Sequence, residues 1–169
     1  MSRATFDRIL ASLYPGEVGG LILVDIVPPD QPAKPYAIQQ PAPFATRDEA
    51  LDWLRKRYPK FAEGYYQSRL KHGFVEGDDG SFVAKPVGHA NMVSMDTDLW
   101  PYVEKIRVPT LLIKGGDSGM ATPEKVERMR KMIPDFEVVT VRGATHMVPQ
   151  DQPVEFDRAV RKFLTRVEK

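Results

Sequence analysis

Cysteine is absent from this chain of 169 residues, and histidine is scarce, with copies only at 72, 89 and 146. The first absence excludes disulfides, thiolate nucleophiles and cysteine-based metal sites. The three histidines have no Asp or Glu neighbours at zinc or calcium spacing, so no metal is expected. A dominant charge is missing too. Lys and Arg total 24 against 23 Asp and Glu, a net charge of +1, which gives no electrostatic drive toward nucleic acid or an anionic membrane. The longest apolar run, around Gly19–Val24, is far short of a membrane span. No charged segment followed by an apolar one opens the chain, so no signal peptide is expected. Gly-x-Gly-x-x-Gly does not occur, and Gly115-Gly116 reads as a strand-ending turn instead. The expectation is therefore no cofactor, no nucleic-acid or membrane partner, and a cytoplasmic setting.

Enough apolar residues are present for a core, 42% of the chain, with 28% charged to cover it. Phe6, Ile9, Leu10 and Leu13 recur at helical spacing over residues 3–14, and Pro15-Gly16 ends that pattern. Leu21–Val24 is a continuous apolar run between Gly20 and Pro28, as expected of a strand buried on both faces. Six prolines (28, 29, 32, 35, 41 and 43) then mark an extended crossing. Thr46-Arg47-Asp48-Glu49 is a capping box, which predicts a helix carrying Leu51, Trp53, Leu54 and Tyr58. Another helix is expected over Phe61–Leu70. Phe74–Val83 predicts a hairpin turning on Gly77-Asp78-Asp79-Gly80. A second buried strand is expected over Val108–Lys114, and Thr122-Pro123 opens a helix by capping and a first-turn proline. Phe136–Val141 reads as a third strand. From Pro153 a last helix puts Phe156, Val160, Phe163, Leu164 and Val167 on one stripe.

Buried strands alternating with helices predict an α/β fold, a parallel sheet of about three strands with flanking helices. Residues 1–29 and 99–169 form its core, and residues 30–98 an irregular, mostly helical insertion. In such a sheet, loops and chemistry converge at the carboxyl ends of the strands. Asp25, the Asp117-Ser118 pair and His146 all fall at those ends. A carboxylate that accepts the Nδ1 proton of a histidine fixes its tautomer, leaving the other nitrogen to serve as general base. The plain alternatives are a solvent-facing loop histidine, a strand-ending Asp25 and a loop-capping Asp117. Trp53, Trp100, Tyr65 and Tyr66 suit either an apolar substrate pocket or ordinary core.

The stretches LYPGEVGGLILVDIVPPD, DLWPYVEKIRVPTLLIKGGDSGMATPEKVERM and VVTVRGATHMVPQDQPVEFDRAVRKFL together resemble the C-terminal half of an α/β-hydrolase. The resemblance spans nearly the whole chain, and the insertion resembles that fold's cap. Gly-Ala-x-His-x-Val before a Pro-led helix is how these enzymes present their catalytic histidine, which implies that role for His146. The acid is implied at Asp25, in Val24-Asp25-Ile26-Val27-Pro28, with Asp117 as the second candidate. The family displays its nucleophile on a Gly-x-Ser-x-Gly elbow. Counting back along the first helix lands on Ser2, which no glycine flanks, so the elbow half of the family pattern is missing. The resemblance implies hydrolysis of a small, largely apolar ester or related acyl compound, weak or absent in this chain alone. The rival is a non-catalytic remnant acting as a binding module. It also implies that Leu21–Val24 has lost a neighbouring strand, so self-association or an N-terminal partner fragment is expected at that edge.

Overall fold

The computed structural model describes residues 12–14, 16–30, 40–85 and 98–168. The helix expected over residues 3–14 lies almost entirely outside them, as do Ser2 and His89. The chain divides into two compact units, Met1–Pro35 with Val93–Lys169, and Tyr36–Met92.

The larger unit is built on three parallel strands in the order β1 (Leu21–Val24), β4 (Thr110–Gly115), β5 (Phe136–Val141). Leu21 pairs with Thr110 and Val24 with Ile113, while Thr110 pairs with Phe136 and Gly115 with Val141. Alternation along the strands sends side chains to two faces. On one face Leu21, Leu23 and Leu112 join Trp100 and Val103 of α3 (Trp100–Val103) and Met129 of α4 (Pro123–Met132). On the other, Leu111, Ile113 and Val141 pack with Val148 of α5 (Val148–Asp151) and with Ala159 and Phe163 of α6 (Pro153–Val167). This covering explains why β1 and the Leu111–Ile113 centre of β4 read as continuous apolar runs. β4 begins two residues later than its apolar run because Pro109 has no N–H for the ladder. Its carbonyl instead accepts Leu21 N–H at 2.9 Å.

Ladder geometry fixes which groups of β1 are used. Leu21 N–H donates to Pro109 O at 2.9 Å and Asp25 N–H to Ile113 O at 2.7 Å. The two-residue alternation turns Leu23 the same way, so the N–H and C=O of Ile22 and Val24 face the side that no described strand occupies. The side chains of Leu21 and Leu23 are meanwhile 6% and 3% exposed.

The smaller unit contains α1 (Arg47–Arg57), α2 (Glu63–Gly73) and an antiparallel pair, β2 (Phe74–Glu76) and β3 (Phe82–Ala84). Thr46 Oγ1 accepts Glu49 N–H at 3.2 Å, and Glu49 reaches back to the amide of Ala45 at 2.9 Å, one residue beyond the cap itself. Tyr58 ends α1 as its C-cap rather than lying within it. α2 starts two residues after Phe61, because Phe61 stacks on Tyr58 at 4.6 Å between centroids instead of entering the helix. Gly80, at φ 79°, closes the hairpin turn in a conformation that favours glycine. Tyr66 is buried with its hydroxyl donating to Tyr58 O at 2.6 Å, and Trp53 packs on Phe44 at 5.7 Å. Tyr66 here, and Trp100 in the larger unit, are thus packing residues.

Candidate active site

Asp25 follows the last residue of β1 and is fully buried. Its φ is 47°, in the left-handed region that non-glycine residues enter seldom and Asp more readily than most. The turn has a definite result. Ladder alternation makes Gly115 N–H the next donor toward β1, where a regular strand would offer the Asp25 carbonyl. Gly115 N–H instead donates to Asp25 Oδ1 at 3.0 Å. The carboxylate thus takes over a backbone position at the sheet's end, and its second oxygen remains available.

That oxygen, Oδ2, receives two groups. His146 Nδ1 lies 2.9 Å away and Ser118 Oγ donates to it at 2.5 Å. Ser118 Oγ in turn accepts Met120 N–H at 3.2 Å. A carboxylate offers only acceptors, so the Nδ1–H tautomer of His146 makes this contact and leaves the Nε2 lone pair free. The imidazole is half exposed while its partner is completely buried. A buried carboxylate is costly unless hydrogen-bonded, and Gly115, Ser118 and His146 together supply that bonding.

His146 is delivered by the loop after β5. Gly143, at φ 73°, permits the turn there. The loop lies directly on the end of β4. A Cβ on Gly115 would stand 2.2 Å from Thr145 O and 2.7 Å from Ala144 O, so only glycine allows this approach. Ala144 O accepts Asp117 N–H at 2.9 Å, tying the loop to the turn after β4.

The structure therefore joins Asp25 with His146. Asp117 stands on the same turn, exposed, two residues past β4. Ser2 is outside the described residues. His72 is exposed on α2. No cluster of three or more His, Asp or Glu suited to a metal ion occurs among the described residues. None of the described helices is long and apolar enough to cross a membrane. The contact of Ser118 with Asp25, 93 positions away, has no local signal in the sequence.

A sequence model of the alpha/beta hydrolase family matches residues 5–159. The chain is 35% identical over 69 residues to N-formylmaleamate deformylase of Pseudomonas putida, a match covering 41% of this chain and 26% of that protein. It is 24% identical over 117 residues to 2-(acetamidomethylene)succinate hydrolase of Mesorhizobium japonicum, covering 66% and 41% respectively. In both cases the match takes in less than half of the relative's length. Among solved structures, E-2-(acetamidomethylene)succinate hydrolase superposes with a TM-score of 0.74 at 21% identity, over 96% of this chain and 63% of that one. A peroxisomal alpha-beta-hydrolase of Saccharomyces cerevisiae superposes with a TM-score of 0.75 at 19% identity, over 97% and 50%. These superpositions agree with the three-stranded parallel sheet and its flanking helices in fold. With the family model spanning most of its length, this chain belongs to the alpha/beta hydrolase family.

Proposed function

We propose that this chain supplies the acid and the base of a serine hydrolase acting on a small, largely apolar ester or related acyl compound. His146 Nε2 takes the proton of an attacking hydroxyl and returns it to the leaving group. Asp25 holds the ring by Nδ1 and stabilises the imidazolium that forms. The observation that carries this reading is the 2.9 Å contact between half-exposed His146 and fully buried Asp25 at the carboxyl end of the sheet. The relatives, a deformylase, a hydrolase and a putative esterase/lipase of Haemophilus influenzae, agree by name with acyl chemistry as the class. Residues 30–98 act as the cap in this reading, and substrate choice resides there and in the loops.

The nucleophile is the part this chain supplies least well. No glycine flanks Ser2, so the sequence there does not offer a Gly-x-Ser-x-Gly elbow, and the chain by itself is a weak enzyme or none. On short-chain p-nitrophenyl esters it should turn over no faster than a His146→Ala control, because the base has no oriented hydroxyl to activate. Robust turnover lost in Ser2→Ala would overturn this and make Ser2 the nucleophile. A Gly-x-Ser-x-Gly elbow encoded in frame upstream of Met1 supports the hydrolase reading.

A second reading rests on the outer edge of β1. The groups of Ile22 and Val24 that face away from β4 suit pairing with another strand, which favours a non-catalytic binding module. Unrelated coding sequence or a stop upstream of Met1 favours this reading over the first.

A further inference from the structure

His146 sits in a loop that needs its own anchorage, since Asp25 holds only the ring, at Nδ1. Asp151, the last residue of α5, is buried at 6% exposure. Its Oδ2 accepts Thr145 N–H at 2.6 Å and Thr145 Oγ–H at 2.5 Å. Thr145 Oγ1 in turn accepts Met147 N–H at 3.3 Å. Asp151 N–H donates to Met147 O at 2.9 Å, so the carboxylate is returned to the loop by its own backbone. The residues on both sides of His146 are thereby tied to one buried oxygen, directly for Thr145 and through its hydroxyl for Met147.

We propose that Asp151 is a positioning residue for His146, a clamp that fixes the loop so that Nδ1 meets Asp25 without a search. This rests on the reading of His146 as the working base. The physical reason is entropic. Three hydrogen bonds made within the loop take up its backbone freedom during folding, so little remains to be lost when the ring engages Asp25. A buried carboxylate is a demanding choice for such a task, and both Thr145 donors converge on it with charge-assisted bonds. Asp25 orients the ring through Nδ1, and Asp151 orients the backbone that carries it.

The test is the His146 ring signal in long-range proton–nitrogen NMR of the whole chain, which has only three histidines to assign. In wild type the Nδ1 proton should be visible and slow to exchange. In Asp151→Ala it should exchange about tenfold faster or more, the factor set by losing bonds to a charged acceptor, and the ring should shift toward a tautomer mixture. Asp151→Asn keeps an oxygen that can accept both Thr145 donors and should restore most of the wild-type signature. Thr145→Val keeps the N–H bond but loses both hydroxyl bonds, and should fall between them. It also decides the matter if Asp151→Ala does not fold. Wild-type ring signals in folded Asp151→Ala or in Thr145→Val overturn the clamp. Asp25→Asn, measured alongside, reports on the Asp25–His146 pair itself, so a failure of that pair is distinguishable from a failure of the clamp.

Discussion

Replacing Gly115 by Ala tests whether the site depends on the close approach of the histidine loop to β4. The added Cβ would stand 2.2 Å from Thr145 O, 2.7 Å from Ala144 O and 2.9 Å from Thr145 C. Ordinary contact begins near 3.4 Å, so the Thr145 carbonyl must retreat by about 1.2 Å, the gap between 2.2 and 3.4 Å. All three atoms are backbone and cannot swing aside as a side chain would. Overpacking of this kind costs about 1–3 kcal/mol. For a chain of this size each kcal/mol moves the melting temperature by about 2–4 °C, so a drop of about 2–12 °C is expected in a thermal melt. The same retreat carries His146, one residue on, away from Asp25. Their 2.9 Å contact has little room to lengthen before it ceases to be a hydrogen bond. The Nδ1 proton signal should therefore weaken along with the melt. A Gly115→Ala protein with wild-type melting and an unchanged His146 ring would refute the argument.

Ser118→Ala should lower stability by about 1–3 kcal/mol in urea denaturation, because it removes a donor from a buried carboxylate. Gly115 N–H still holds Oδ1, so the protein should fold and its m-value should stay constant. Thr46→Ala removes the cap that accepts Glu49 N–H and should destabilise α1 by about 1 kcal/mol, read as faster amide exchange in its first turn. Light scattering over a concentration series should show self-association through β1. Ile22→Pro should suppress it, since it deletes an outward N–H while sparing the bonds to β4. A monodisperse wild type at every concentration would mean that the strand is covered in another way.

Much of the fold is written locally. The run Leu21–Val24 is a strand with those bounds, because a strand covered on both faces needs apolar residues throughout, and Phe136–Val141, rich in β-branched and aromatic residues, is another. Thr46 and Thr122 cap helices, as the Thr46–Glu49 box and the Thr122-Pro123 step predict. Residues whose role depends on distant partners were not legible in the same way. Asp25 meets His146 across 121 positions and Ser118 across 93, and the registers of β1 against β4 and of β4 against β5 bring them together. The left-handed turn at Asp25 has no signal of its own, because Asp ends strands in many conformations. The sequence signal for Asp151 is slight, an acid just ahead of the Pro-led helix and five residues after the histidine. The aromatic residues leave pocket lining and core both open in the sequence. Trp100 and Tyr66 have the composition of a pocket lining, but they are core because a large apolar ring is stabilised by burial wherever it fits.

The central claim is that buried Asp25 holds His146 by Nδ1 and leaves Nε2 as the base. Nitrogen-15 chemical shifts of the His146 ring, read in the wild-type chain and in Asp25→Asn, test it most directly. Neutral His146 should carry its proton on Nδ1 in the wild type, and Asp25→Asn should abolish this preference. A neutral ring protonated on Nε2, with shifts that Asp25→Asn leaves unchanged, would contradict it.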